Sequence, residues 1–281
     1  MNTLQELAHP GPRAADRYAA LPCRAQPVTL RLAAGLPFDQ AVVQGFAAAG
    51  FTAGYLRLPP ARFARLTYVI PAPAPGDGRA AWYSKPHVLM DAAASEAGLH
   101  LGSKAGAPFL HCHGLWCTPG GDLRMGHLLA PESVLREDVT ATGWGLSGAA
   151  LDVAPDPETG FDLFAPVAAE AADEIGAGAP ALLCTLRPNE DPHSLLPQIA
   201  RGLAPLRIEG IGSLVHTRFT SGTLDSYATE VLLRTSCVAG DSTTLNAASV
   251  GFDGTPMTGV LRPHANRICI TAELLLIEAE A

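Results

Sequence analysis

The sequence predicts an α+β chain of two tandem domains, each a mainly antiparallel β-sheet packed against one helix. Three observations predict it. Short apolar runs with the two-residue alternation of strands recur along most of the chain. Helix-start signals followed by a helical apolar period occur twice, at 37–50 and at 191–203. The order strand, helix, then several strands also occurs twice, which marks an internal duplication. A length of 281 residues accommodates two ordinary domains, and a composition of 48% hydrophobic and 16% charged residues supports packed cores. The 28 glycines and 24 prolines fit short elements joined by turns.

Residues 1–27 read as an irregular leader, with His9-Pro10-Gly11-Pro12 as a turn. The first domain is expected over 28–165. Residues 28–32 alternate like a strand. Pro37, Phe38 and Asp39 then open a helix through Val42, Val43, Phe46 and Ala49, which Gly50 ends. Strands follow at 52–58 and 66–70, a Pro/Gly loop at 71–78, and strand-like runs near 81–83, 87–90, 98–102, 109–117, 126–129 and 139–151. The stretch 166–179 is rich in Ala, Gly and acid and reads as a linker. The second domain is expected over 180–281. It has a strand at 181–186, a helix opened by Asp191-Pro192 and running through Leu203, and strands at 208–215, 227–234, 244–251, 257–261 and 267–277.

Function centres on three histidines. His111 and His113 are two apart in a strand, so their side chains share a face while Cys112 points the other way. A hairpin through Thr118-Pro119-Gly120-Gly121-Asp122 returns the chain toward His127. Three imidazoles on one face make a divalent metal site with an open position. A same-face histidine pair also occurs on solvated sheets, and His127 is what favours the metal reading. Aligning the two series sets His111 against Asn246, His113 against Ala248 and His127 against Val260, so the second copy keeps the scaffold without the ligands. Cys184, Cys237 and Cys269 lie in apolar segments and read as small core residues.

Further residues carry a family resemblance. Glu209-Gly-Ile-Gly-Ser, the run Tyr-Ala-Thr-Glu-Val-Leu-Leu at 227–233, Val-Gly-Phe-Asp-Gly at 250–254 and the Met125-Gly126-His127-Leu128 turn after the paired histidines are together similar to the plants-and-prokaryotes conserved (PPC, DUF296) domain. The chain resembles two such copies in tandem, the first in the histidine-bearing bacterial form. The first copy diverges between Leu58 and Ala107, and Met125 replaces the usual first glycine of the turn. The resemblance implies an antiparallel sheet with a packed helix, a homotrimer with sites near subunit boundaries, and a divalent metal, typically zinc, on His111, His113 and His127. Glu230 matches the acidic residue of the family's central strand.

The expected function is a zinc-dependent enzyme acting on a small oxygenated carboxylic acid by hydrolysis, hydration or lyase chemistry, or isomerisation. An open zinc position polarises a carbonyl or acidifies bound water. Arg124 would anchor the substrate carboxylate, and a carboxylate, Glu230 or Asp122, would move protons. The alternative is a noncatalytic metal- or metabolite-binding protein, or a DNA-associated regulator. The formal net charge of −8 opposes binding to phosphate backbones, and no AT-hook core is present. No apolar run spans a bilayer and residues 1–24 lack the apolar core of a signal peptide, so a cytoplasmic protein without a membrane partner is expected.

Overall fold

A computed structural model of the chain describes residues 6–169 and 178–279. Eighteen strands form one continuous sheet. Among the described residues its pairings are antiparallel except where Asp152 and Val153 run beside Ser103 and Lys104. The mainly antiparallel architecture meets the expectation. The division into two separately packed sheets does not, because β1 (Tyr18–Leu32) belongs to both halves. It pairs over 24–32 with the strand Val139–Ser147 and over 18–25 with the strand Ala179–Leu186.

The start of β1 lies within the stretch expected to be a leader. Ala19, Ala20, Pro22 and Pro27 mask the alternation there, and pairing with a distant strand supplies what local pattern lacks. Apart from the overlap at Arg24 and Ala25, each part of β1 is paired along one side, the situation in which strands tolerate proline. The linker expected over 166–179 begins inside the strand Asp162–Ala168, and 170–177 lie outside the described residues.

The helices are short. α1 (Phe38–Ala48) buries Phe38, Ala41, Val42 and Phe46, spaced three and four apart on one stripe. The chain then turns at Gly50 with φ +84°. α2 (Pro192–Ile199) is capped by the Asp191 side chain, which accepts from the His193 backbone N–H at 2.9 Å. It stops before Leu203, which is exposed, so the last apolar position expected for that helix packs on nothing. With helices of 11 and 8 residues, the protein is mainly antiparallel β with minor helix, not two helix-on-sheet units.

Two large apolar clusters correspond to the halves. One gathers Phe38, Phe46, Phe63, Leu99 and Trp116; the other gathers Leu196, Ile208, Phe219 and Leu274. Two smaller clusters bind them together. One joins Tyr55 and Leu146 to Leu183 and Leu275, and the other joins Leu115 and Met125 to Ile211, Leu232, Ala248 and Val250. Each fully buried large apolar side chain contributes roughly 2 kcal/mol before ordering entropy. This second seam holds the histidine hairpin against the second half. Of the cysteines expected in the core, Cys184 and Cys269 are buried and Cys237 is exposed. No described helix is long and apolar enough to cross a membrane.

Candidate metal centre

His111 and His113 lie on the strand Ala107–Cys117 and His127 on the strand Leu123–Leu128. The turn between them closes with Thr118 N–H donating to Asp122 O and Gly121 at φ +87°. That register sets His113 directly opposite His127. Cys112 points into the first core and is fully buried, as strand alternation requires. Gly126 lets the strand Ala61–Val69 close on the far side of the hairpin. A Cβ there would stand 2.3 Å from the Val69 carbonyl oxygen, and Val69 pairs with His127.

The three side chains converge. One donor atom from each lies within 4.8 Å of the others, and His111 Nε2 is 3.1 Å from His113 Nε2. Two nitrogens sharing one zinc stand roughly 3.4 Å apart at tetrahedral angles. The second half completes the surroundings. His113 Nδ1 is 2.9 Å from the Val231 carbonyl oxygen, which accepts its proton and leaves Nε2 as the free lone pair facing His111. His111 Nδ1 lies 3.2 Å from Glu273 Oε2, a carboxylate behind the imidazole. The backbone oxygen of Glu273 lies 3.0 Å from Nε2 of His100. Glu230 is buried, with Oε1 3.9 Å from His113 Nε2.

Burial, reinforced by the neighbouring imidazoles, pushes His113 and His127 well below the ordinary histidine range. They are therefore neutral at pH 7, the form that ligates metals. Burial pushes the Glu230 carboxyl well above its ordinary range, and the nearby His127 backbone N–H offsets this only in part. His127 Nδ1 and both Glu230 oxygens are buried without a hydrogen-bond partner. Buried polar atoms without partners are costly, and a cation among these donors would satisfy them, so the residues fit a divalent metal.

The centre opens into a cavity of about 230 Å³. Its walls include Tyr83, Phe109, Phe164, Glu230 and Glu273 beside the three histidines. Arg124 and Asp122 are not among them. They sit at the exposed hairpin tip, paired to each other at 3.4 Å. Two other cations of the first half are held elsewhere, Arg57 by Glu209 and Lys104 by Asp162. Trp116 is core, edge-on to Tyr68, and the indole at the cavity is Trp82. Glu273 escaped the sequence reading, although a lone acid inside the apolar run 267–277 signals a buried partner. In the second half Ala248 faces Thr258, while Val260 faces Asn246. The position across from the His113 equivalent is thus two residues from the one the sequence alignment chose, and it still carries no ligand.

No family profile and no curated protein matches the chain. Solved structures that resemble it each cover about half of this chain and nearly all of their own. A plant- and prokaryote-conserved (PPC) protein from Pyrococcus horikoshii has a TM-score of 0.38 and 13% identity over 55% of this chain and 99% of its own. A metal-containing protein from Archaeoglobus fulgidus has a TM-score of 0.39 and 22% identity over 50% and 94%. A candidate DNA-binding protein from Ralstonia eutropha has a TM-score of 0.36 and 15% identity over 53% and 95%. The geometry corrects the expectation of a zinc enzyme acting on a carboxylic acid in favour of its noncatalytic alternative: the expected anchor Arg124 and its neighbour Asp122 stand outside the cavity, and among the described residues no lysine or arginine lines it. One of these neighbours carries the name of the family that the sequence resembles.

Proposed function

We propose that the chain is a noncatalytic metal-binding protein. His111, His113 and His127 hold one divalent ion, most simply zinc, and the adjoining cavity receives a small molecule. The observation that carries the reading is the convergence of three imidazoles with donor atoms within 4.8 Å, two of them held neutral by burial. When bound, the ion offers a coordination position to a ligand donor atom. Val231 O fixes the His113 tautomer, Glu273 backs His111, and the cavity walls beside them are mostly apolar. Direct DNA contact is no part of this function, given the net charge of −8.

We propose also that the halves are tandem copies. What supports this is the shared order of β1, α1 and the strand Gly54–Leu58 with Ala179–Leu186, α2 and Leu206–Val215. In each half the closing strand pairs with the first, Val139–Ser147 with β1 and Arg267–Glu278 with Ala179–Leu186.

Elemental analysis of purified protein tests the metal. We expect one zinc-group ion per chain and its loss in His113→Ala, with His193→Ala retaining it. A metal-free wild type after reconstitution, or a His113→Ala protein that keeps its ion, would overturn the proposal.

A further inference from the structure

The cavity has a chemical character of its own, and assigning it an occupant rests on the metal-binding reading. Five aromatic residues line it. Tyr83 lies edge-on to His127 with ring centroids 5.4 Å apart, and Phe164 is tilted against His111 at 6.4 Å. These two rings contact different histidines of the candidate centre. Phe109 packs edge-on to Phe164 at 5.6 Å, and Trp82 stacks on Phe161 at 5.6 Å. Trp82, Tyr83 and Phe109 are each more than a third exposed. Large aromatic surface left open beside a cavity marks a binding site more often than a packing defect.

The rings are positioned, not dangling. Trp82 and Tyr83 pair with Ala72 and Pro71, and Ser84 exchanges hydrogen bonds with the Ile70 backbone at 2.9 and 3.1 Å. The Ala74 N–H donates to the Tyr227 hydroxyl at 2.9 Å, which ties down the loop before them. Arg79 lies over Trp82 and Phe161, 4.8 and 5.6 Å from their centroids.

Charge narrows the class of occupant. The ionisable residues of the wall are the three histidines, Tyr83, Cys269, Glu230, Glu273 and Asp162, with no lysine or arginine. Asp162 is already paired with Lys104 at 3.1 Å. A polyanionic ligand would find no lysine or arginine in the wall to hold it beside the metal. Size narrows it further, because roughly 150 Å³ is enough for a benzene ring in an apolar cavity. The 230 Å³ here takes one ring and a small head group.

We infer that the site selects a flat aromatic ring carrying one small metal-coordinating group of no more than a single negative charge, with Tyr83, Phe164 and Trp82 discriminating the ring and the histidine centre taking the head group. The test uses the full chain loaded with cobalt(II), whose visible absorption reports coordination. It is titrated with benzohydroxamate and with acetohydroxamate, which share a head group and differ in ring against methyl. The expected result is at least about tenfold tighter binding of benzohydroxamate, from burial of the ring. That ratio should fall toward one in Phe164→Leu and in Trp82→Ala, each measured against acetohydroxamate in the same protein. Equal affinities in a cobalt-loaded wild type, or a ratio untouched by both substitutions, overturns this inference and leaves the metal reading standing. Failure of the wild type to take up cobalt overturns both.

Discussion

Glu273 stands behind His111 as Val231 O stands behind His113, and the two supports differ in kind. A backbone carbonyl cannot be mutated away, whereas the carboxylate can. Glu273→Gln keeps the shape and removes the charge, and it should weaken zinc affinity about 10–100-fold, measured by competition with a chromophoric chelator. His100 gives a residue-scale pH signature. Burial lowers it to about 4, opposed by the Glu273 side chain and backbone. A histidine lowered in the folded state leaves the unfolded chain binding more protons, so its contribution is present above the unfolded value near 6.5. That contribution is lost as pH falls toward 4. The loss amounts to about 2 kcal/mol by pH 5. Urea unfolding of chelator-treated protein at neutral pH and near pH 5 should show a smaller drop in His100→Gln than in wild type. An identical drop would assign the pH dependence elsewhere.

At the scale of elements, the hairpin that carries the histidines is specified twice over. Turn chemistry at Thr118–Asp122 brings the strands back, and Gly126 admits the strand Ala61–Val69 alongside His127. Gly126→Ala forces a methyl into the Val69 carbonyl, so we expect a loss of about 3 kcal/mol in thermal or urea unfolding together with weaker metal retention. Much of this was legible beforehand. The spacing of His111 and His113, the Gly-Gly-Asp turn and the opposed Cys112 are local features, set by a two-residue period and a turn signal. The early part of β1 was not legible, because alanine and proline carry no alternation and its strand state comes from pairing with residues more than 150 positions away. α2 fell short of its expected length because Leu203 finds no surface to pack on, and an apolar period is only half of what a helix end requires.

For the whole molecule, the decisive fact is that the halves are fastened into one body. Arg57 of the first half reaches Glu209 and the carbonyls of Leu233 and Arg234 in the second, at 3.2 and 2.9 Å for the carbonyl contacts. Glu209 is fully buried, and losing Arg57 would leave much of its charge uncompensated. We expect Arg57→Met to lower stability by about 3 kcal/mol, while Arg207→Ala, at a half-exposed partner of the same carboxylate, should cost less than about 1 kcal/mol. Comparable losses in urea midpoints for the two variants would contradict this ranking. What the sequence by itself determined is local: mainly antiparallel strands, with more weight on packed helices than the structure bears, and three histidines poised on one hairpin face, both written in short-range periodicity. Only the tertiary structure decided that one sheet runs through both halves. It also decided that Glu273, Glu230 and Val231 enclose the histidines, that Arg124 and Asp122 stay outside, and that aromatic rings line the approach. The physical reason is that such contacts join residues more than 100 positions apart, and their formation is set by packing and register, which no local pattern records.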